Sequence, residues 1–137
     1  MVNIVIKRGI GYVYGLKYHL VFCTKYRKKV LTGDVKENLI RLLLLVAKDI
    51  EVEILEINTD SDHVHILLEA KPQHYIPTFV KRLKGTSANA LFKLYPNLRH
   101  ELWNGHLWNP SYFISTVSDN LESNIKNYIE KQGSDKT

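Results

Sequence analysis

Two histidines, His63 and His65, stand one residue apart in the segment DHVHILLEA at 62–70. The apolar residues that follow predict a β-strand over 63–70, and side chains alternate between the two faces of a strand. His63 and His65 are therefore expected on one face, with Val64 on the other, in the core. Paired imidazoles can bind a divalent metal, with amide or carboxylate oxygens and waters completing the site. From spacing alone, two ordinary histidines at a strand edge are equally open.

A second candidate lies near the C-terminus, in NYIEKQ at 127–132. Tyr128 and Gln132 are four residues apart, so they share one face of a predicted helix. A tyrosine hydroxyl can act as a nucleophile and form a covalent intermediate. Its ordinary pKa of about 10 means that a nearby metal or base would have to assist it. A half-buried aromatic that anchors the helix is the alternative from the residues alone.

The net charge is +5, and the cations are clustered. KYRKK at 25–29 surrounds a tyrosine with four cations, and KRLK at 81–84 adds three more. Basic clusters that include an aromatic residue are typical of nucleic-acid contacts, although a solvated surface is an equally open interpretation for each cluster.

The chain of 137 residues, 45% of them hydrophobic, is expected to form a single domain over 1–137, with its core at about 15–132 and a flexible tail at 133–137. The longest apolar run, LLLLVA at 42–47, is too short to span a membrane. One cysteine, Cys23, and no recognisable signal peptide favour a reducing cytoplasm.

The elements that must position these residues follow from hydrophobic periodicity. We predict strands at 15–26, 51–60, 63–70 and 111–118, and helices at 32–50, 73–95 and 119–132. The order β-α-β-β-α-β-α begins with the split βαβ pattern of ferredoxin-like and RRM-like folds. The fold class is therefore α+β: an antiparallel sheet with two helices on one face, followed by a C-terminal helix that carries Tyr128. The other face of the sheet is expected to be free for a ligand.

Local signals place the helix ends. Asp34 and Glu37 resemble a capping box for the first helix. The last helix is expected to start at Ser118 or Asp119 and to stop at Gly133. The second helix is expected to start near a proline and to turn an apolar face inward, formed by Phe79, Leu83 and Leu91.

Five blocks, in order along the chain, bear on function: YHLVFCTKYRKKVL (18–31), DHVHILLE (62–69), VKRLKGTSANALF (80–92), GHLWNPSYFISTVS (105–118) and IKNYIEKQ (125–132). Together they resemble the single-tyrosine HUH transposases of small bacterial and archaeal insertion sequences. HUH denotes histidine, a hydrophobic residue and histidine. The resemblance runs from about Gly15 to Gln132.

The resemblance implies an enzyme that cuts and rejoins single-stranded DNA at the ends of a mobile element and recognises hairpins there. His63 and His65 match the histidines that bind a divalent cation, usually Mg²⁺ or Mn²⁺, and Gln132 matches the third protein ligand. Tyr128 matches the nucleophile, which would form a 5′-phosphotyrosine and leave a free 3′-OH. The resemblance also implies a homodimer with active sites shared between subunits, hinged near Ser118.

Within that resemblance, the basic clusters are assigned to DNA binding: Lys25, Tyr26, Arg27, Lys28, Lys29, Arg82 and Lys84. Trp108 is expected to cover the core or a dimer interface, and Trp103 is a possible contact for a base. The remaining histidines are interpreted as structural or surface residues: His19, His74, His100 and His106.

Three alternatives stay open. The first is a domesticated relative that nicks hairpins outside a mobile element. The second is a non-catalytic ferredoxin-like module that binds single-stranded nucleic acid on its sheet. The third is a metallohydrolase that uses the two histidines, which would need further ligands.

Overall fold

A computed structural model of the protein describes residues 7–9, 12–14, 16–102, 105–116 and 121–134. The elements, in chain order, are β1 (Lys7–Gly9), β2 (Tyr12–Tyr14), β3 (Leu16–Cys23), α1 (Gly33–Asp49), β4 (Glu53–Thr59), β5 (His63–Ala70), α2 (Ile76–Leu94), α3 (Leu98–Glu101), β6 (Phe113–Thr116) and α4 (Leu121–Ser134). A 3₁₀ turn at Lys25–Arg27 follows β3.

The main sheet has the strand order β4-β5-β3-β6, and each neighbouring pair is antiparallel. This order places the two central strands of the split βαβ pattern side by side and confirms the predicted α+β fold. Strands β1 and β2 pair separately as a two-stranded antiparallel sheet. The two central strands, β3 and β5, are therefore the scaffold for side chains on either face.

The main core lies between one face of this sheet and helices α1 and α2. Val64 is fully buried there, as the alternation of β5 predicts. The predicted inner face of α2 is buried in the same cluster: Phe79, Leu83 and Leu91. In β4, a register shift between Ile54 and Glu56 breaks strict alternation, and it allows Ile54 and Ile57 to pack toward this core although they are three residues apart.

The opposite face of the sheet is not entirely free, contrary to the prediction. Helix α4 packs on it through a second apolar cluster, in which Ile125 and Val21 are buried. The partly buried side chains of this cluster are Phe113, Tyr128 and Ile129. Because Val21 lies directly opposite His65 in the β3–β5 ladder, α4 is brought to the face that carries the histidines.

Several predicted boundaries move. Helix α1 begins at Gly33 after Thr32, and no side-chain cap bonds its first turn, so the capping-box prediction is wrong and Asp34 lies within that turn. Helix α4 continues past Gly133 to Ser134. Strand β6 is confined to Phe113–Thr116, and the predicted cap and hinge at Ser118 and Asp119 lie outside the described residues.

No helix within the described ranges is long and apolar enough to cross a membrane.

Candidate active site

His63 and His65 are the first and third residues of strand β5, on the sheet face against which α4 packs. His63 lies opposite Cys23 on β3, and His65 lies opposite Val21. Both imidazoles are partly buried, and Val64 between them points into the main core. His63 and His65 therefore lie on one face of β5, as predicted.

His63 is oriented by the residue before it. Its Nδ1 lies 2.8 Å from Oδ1 of the buried Asp62. Burial alone would raise the pKa of Asp62, but the hydrogen bond with His63 and the neighbouring Arg27 charge outweigh it, so the pKa lies below its ordinary value. An ionised carboxylate can only accept, so Nδ1 of His63 carries the proton and, in the neutral ring, Nε2 keeps a lone pair for a ligand.

His65 has a neighbour that sequence analysis assigned a structural or surface role. Nδ1 of His19, on β3, lies 2.8 Å from Nε2 of His65. Burial lowers the pKa of both imidazoles: the charge of His65 lowers that of His19 further, whereas nearby Glu56 opposes the shift at both. His65 is therefore neutral near pH 7, the state in which imidazole binds metals. Its Nε2 becomes available to a ligand once the contact with His19 opens.

Tyr128 and Gln132 share one side of α4, as predicted, and both contact the same serine. Ser111 Oγ lies 3.0 Å from the Tyr128 hydroxyl and donates to Oε1 of Gln132 at 3.1 Å. Gln132 is buried, and the Tyr128 ring packs 5.9 Å from that of Phe113. Burial raises the pKa of Tyr128 to about 12, although the Ser111 hydrogen bond lowers it. The phenol is thus protonated at neutral pH and needs activation to attack a phosphate.

Lys84, on α2, bonds the backbone at and near Ser111. The Lys84 Nζ donates to the carbonyl oxygens of Asn109 at 2.6 Å and Ser111 at 3.0 Å. Burial lowers the pKa of Lys84 to about 8. In this conformation the ammonium is used inside the fold, and its predicted contact with DNA stays a prediction.

A groove of about 450 Å³ lies between α4, strand β5 and the turn at Lys25–Arg27. Its lining combines the side of α4 with one of the paired histidines: Arg27, His65, Ile125, Lys126, Ile129 and Glu130. The lining includes two isoleucines and the cations Arg27 and Lys126, which suit a nucleotide with an anionic backbone, whereas the carboxylate of Glu130 would oppose a phosphate.

Within the described residues, neither Tyr128 nor Gln132 hydrogen-bonds either histidine of the pair. The same residues contain no group of three or more histidine, cysteine, aspartate or glutamate side chains placed to hold a metal ion. The structure therefore places α4 on the face that carries the histidines, but the candidate side chains Tyr128 and Gln132 do not hydrogen-bond His63 or His65.

The first basic cluster forms the 3₁₀ turn after β3. Lys25 Nζ lies 5.0 Å from the centre of the Tyr26 ring, and Lys29 is exposed. In the second cluster, exposed Arg82 pairs with Asp49 at 2.6 Å. A phosphate backbone would have to compete with that surface pair, which is worth little free energy in water.

Trp108 lies in the core, as predicted for a covering residue. It is buried edge-on against Phe22, and its Nε1 donates to the carbonyl oxygen of Lys84 and to Ser87 Oγ. His74 is structural, because it bonds the backbone at Lys71 and Ile50. Trp103 lies outside the described residues.

Sequence analysis missed Asp62, His19 and Ser111. Asp62 was detectable, because it precedes His63 directly. His19 was detectable from strand parity once β3 and β5 were placed side by side, since directly opposed residues share a face. Ser111 has no local signal, because its contacts depend on how α4 returns across the sheet.

The model of the IS200-like transposase family matches residues 12–132. The chain belongs to the IS200-like transposase family. This membership confirms the resemblance inferred from the five sequence blocks and identifies the protein as a transposase, hence an enzyme. The matched range covers every strand of the main sheet and Tyr128, and it ends at Gln132.

Two relatives agree with this assignment. The transposase is 51% identical over 126 residues to the ISDra2 transposase TnpA of Deinococcus radiodurans, covering 92% of this chain and 90% of that protein. It is 32% identical over 119 residues to the transposase for insertion sequence element IS200 of Salmonella typhimurium, covering 87% of this chain and 78% of that protein.

Solved structures agree on the fold. A crystal structure of a Deinococcus radiodurans R1 protein, described provisionally as a transposase, matches with a TM-score of 0.88 and 47% identity, over 92% of this chain and 97% of that one. A REP-associated tyrosine transposase bound to a REP hairpin matches with a TM-score of 0.57 over 93% of this chain and 74% of that one. At 13% identity, the second likeness shows the fold alone.

Proposed function

We propose that this IS200-like transposase cleaves and rejoins single-stranded DNA with Tyr128 as its nucleophile. The supporting observation is that α4, which carries Tyr128 and Gln132, packs on the sheet face that carries His63 and His65. The candidate nucleophile and the candidate metal ligands of β5 therefore lie on facing elements, which supports the proposal.

In the proposed reaction the Tyr128 Oη attacks the scissile phosphorus. A bond forms between Oη and phosphorus, and the bond from phosphorus to the 3′ oxygen of the preceding nucleotide breaks. The phenol loses its proton, and the departing oxygen takes one to become a free 3′-OH. Because the phosphotyrosine keeps an ester bond, another 3′-OH can reverse the step without a nucleotide cofactor.

Three side chains are proposed to hold a divalent cation: His63, His65 and Gln132. The donors fit such an ion, because His63 has a free Nε2 and His65 is neutral. Two nitrogens and one amide oxygen suit Mn²⁺, or Mg²⁺ with added waters. When bound, the cation would offset charge on the phosphate oxygens as Tyr128 attacks. Ser111 would have to release Gln132 for this role.

The DNA partner is proposed to be a single strand with a hairpin near the element end. The fold likeness to a transposase bound to a REP hairpin supports this choice. We propose that the strand crosses the groove and the turn at 25–29, with the stem near α2. The proposed DNA contacts are Lys25, Tyr26, Arg27, Lys28, Lys29, Arg82 and Lys84.

A homodimer with shared active sites is also proposed. Tyr128 and Gln132 contact Ser111 of their own chain rather than its histidines, which supports completion of each site by a moved or exchanged α4. Two tyrosines would then be present for the exchange of two strand ends. The reaction is expected in the cytoplasm, where such DNA is found.

A covalent-trapping gel tests the function. Purified protein is mixed with labelled single-stranded oligonucleotides from both flanks of its gene, with Mg²⁺ or EDTA, alongside Tyr128→Phe. We expect a slow-migrating, metal-dependent protein–DNA band that Tyr128→Phe abolishes while non-covalent binding survives. Undiminished cleavage by Tyr128→Phe would reject the nucleophile. A retarded complex without covalent product, over oligonucleotides that tile both flanks, would favour a binding-only module.

A further inference from the structure

One guanidinium, that of Arg27, joins two parts of the candidate site that are far apart in sequence. Its Nε and Nη2 each lie 2.9 Å from Oδ2 of Asp62. Its Nη1 donates to the carbonyl oxygen of Ile129, on α4, at 3.2 Å. The same side chain therefore holds the residue before the paired histidines and the backbone of the helix that carries Tyr128.

The contact with Asp62 continues to His63. Asp62 uses Oδ2 for Arg27 and Oδ1 for Nδ1 of His63, so its two oxygens are divided between the two partners. Only 6% of the Asp62 side chain is exposed, so water contributes little to its orientation. Carboxylates that accept from the second nitrogen of a metal-ligating histidine fix its ring and raise its affinity for the metal.

The backbone at Arg27 is strained. Tyr26 has a φ of 56° and Arg27 a φ of 51°, in the left-handed region that non-glycine residues rarely adopt. Two such residues in succession cost free energy and persist only where surrounding contacts require them. At Arg27 those contacts are Asp62 and α4.

We propose that Arg27 is a positioning residue. Through Asp62 it fixes the ring of His63, and through Ile129 it fixes the position of α4, so the proposed metal ligand and the helix that carries Tyr128 depend on the same side chain. The proposal rests on the proposed roles of His63 and Tyr128. This positioning role is separate from the DNA contact proposed above for Arg27, because here the guanidinium acts on protein groups, Asp62 and Ile129. The planar guanidinium is essential to this role, since a lysine ammonium cannot direct two N–H groups to Oδ2 of Asp62 and also reach the carbonyl oxygen of Ile129.

The test compares Arg27→Lys, which keeps the charge, with Arg41→Lys as a matched control. Arg41 is exposed on α1 and contacts Asn38. Mn²⁺ alone is the probe, with its affinity measured by calorimetry and no DNA present. Hydrogen exchange of amides 124–132 reports the seating of α4. Imidazole ¹⁵N shifts, assigned with His63→Ala, report which nitrogen of His63 carries the proton.

We expect Arg27→Lys to weaken Mn²⁺ binding about 10-fold or more, to accelerate exchange in α4, and to mix the two tautomers of His63. Arg41→Lys should leave all three unchanged. Asp62→Asn should weaken Mn²⁺ binding and disturb His63 while changing α4 exchange less, because Arg27 retains Ile129. This difference between the two variants would show that Arg27 affects both Mn²⁺ binding and the packing of α4.

If Arg27→Lys changed neither the Mn²⁺ affinity nor the exchange in α4, or only one of these two, the shared role of Arg27 would be overturned while the proposed function stayed intact. Wild-type protein that binds no Mn²⁺ would overturn the proposed metal site and the inference together. Equal acceleration of exchange in α1 and β5 by Arg27→Lys would show a general loss of stability and would also overturn it.

Discussion

At the scale of single residues, Ser111 decides what Tyr128 can do in this conformation. Its hydroxyl contacts both the phenol and the Gln132 amide, two groups that the proposed reaction needs elsewhere. The serine lies outside any strand and is held by Lys84. In this conformation burial keeps the Tyr128 phenol protonated although the Ser111 hydrogen bond lowers its pKa, and Ser111 also holds the Gln132 amide.

Replacing Ser111 with alanine should loosen α4. Each lost hydrogen bond of this kind is worth about 0.5–1.5 kcal/mol, so exchange of amides 124–132 should accelerate about 10-fold. Hydrogen exchange followed by mass spectrometry measures the change. Ser115→Ala is the control, because Ser115 Oγ bonds only its neighbour's carbonyl. Unchanged exchange in Ser111→Ala would mean that apolar contacts alone seat the helix.

The Tyr128 phenol should ionise at a higher pH than an ordinary tyrosine. Burial raises its pKa from 10.0 to about 12, so the folded state favours the neutral phenol. This group's contribution to stability is complete below pH 10, the unfolded value, and is lost as the pH rises toward 12. The tyrosinate absorbance difference between wild type and Tyr128→Phe isolates the group. A transition at the ordinary tyrosine pKa would show that the ring is solvated.

At the scale of elements, α4 makes a smaller apolar contact than α1 or α2. It meets the sheet through a small cluster around Val21 and Ile125, whereas α1 and α2 enclose the main core. A helix held by few apolar contacts opens at a lower free-energy cost than the core does. We therefore expect α4 to open more readily than the β3–β5 scaffold.

Ile125→Ala should destabilise α4 more than the main core. Truncating a buried isoleucine costs about 2–5 kcal/mol, and we expect the loss mainly as faster exchange in α4. Leu83→Ala, in the main core, should instead lower the free energy of global unfolding by a similar amount, as measured by urea denaturation. If Ile125→Ala accelerated exchange in β5 as much as in α4, the helix and the core would be one cooperative unit.

At the scale of the whole molecule, positive charge gathers at the turn after β3, beside the groove between α4 and the sheet. The net charge of +5 is modest, so its local concentration matters more than its sum. Part of the basic set is used within the protein: Arg27 holds Asp62, Lys84 holds two carbonyl oxygens and Arg82 pairs with Asp49. Exposed Lys29 is therefore a better test of phosphate contact.

Affinity for single-stranded DNA should fall with salt, with a log–log slope of about −0.7 for each phosphate neutralised. Lys29→Gln should reduce the magnitude of the slope by about that amount, because it removes one contact. Lys36→Gln removes an equal charge from the exposed side of α1 and should not change the slope. Fluorescence anisotropy over a salt series measures both. Equal slopes in all three proteins would place the DNA away from this turn.

The sequence by itself determined the elements and their faces, because periodicity and strand alternation are local properties. It therefore predicted the split βαβ order, the burial of Val64, the shared face of His63 and His65, and the common side of Tyr128 and Gln132. The sequence also predicted the family, because the matching blocks are spread over nearly the whole chain.

Tertiary structure alone decided which of these side chains meet. His19 lies 46 positions from His65, and Arg27 lies 102 positions from Ile129, so no local pattern encodes either contact. No local pattern encodes the position of α4 either. Because α4 packs on the sheet face that was predicted to be free, that face instead borders a groove. Strand pairing and the packing of α4 on Val21 fix these distances, and they exist only once the chain has folded.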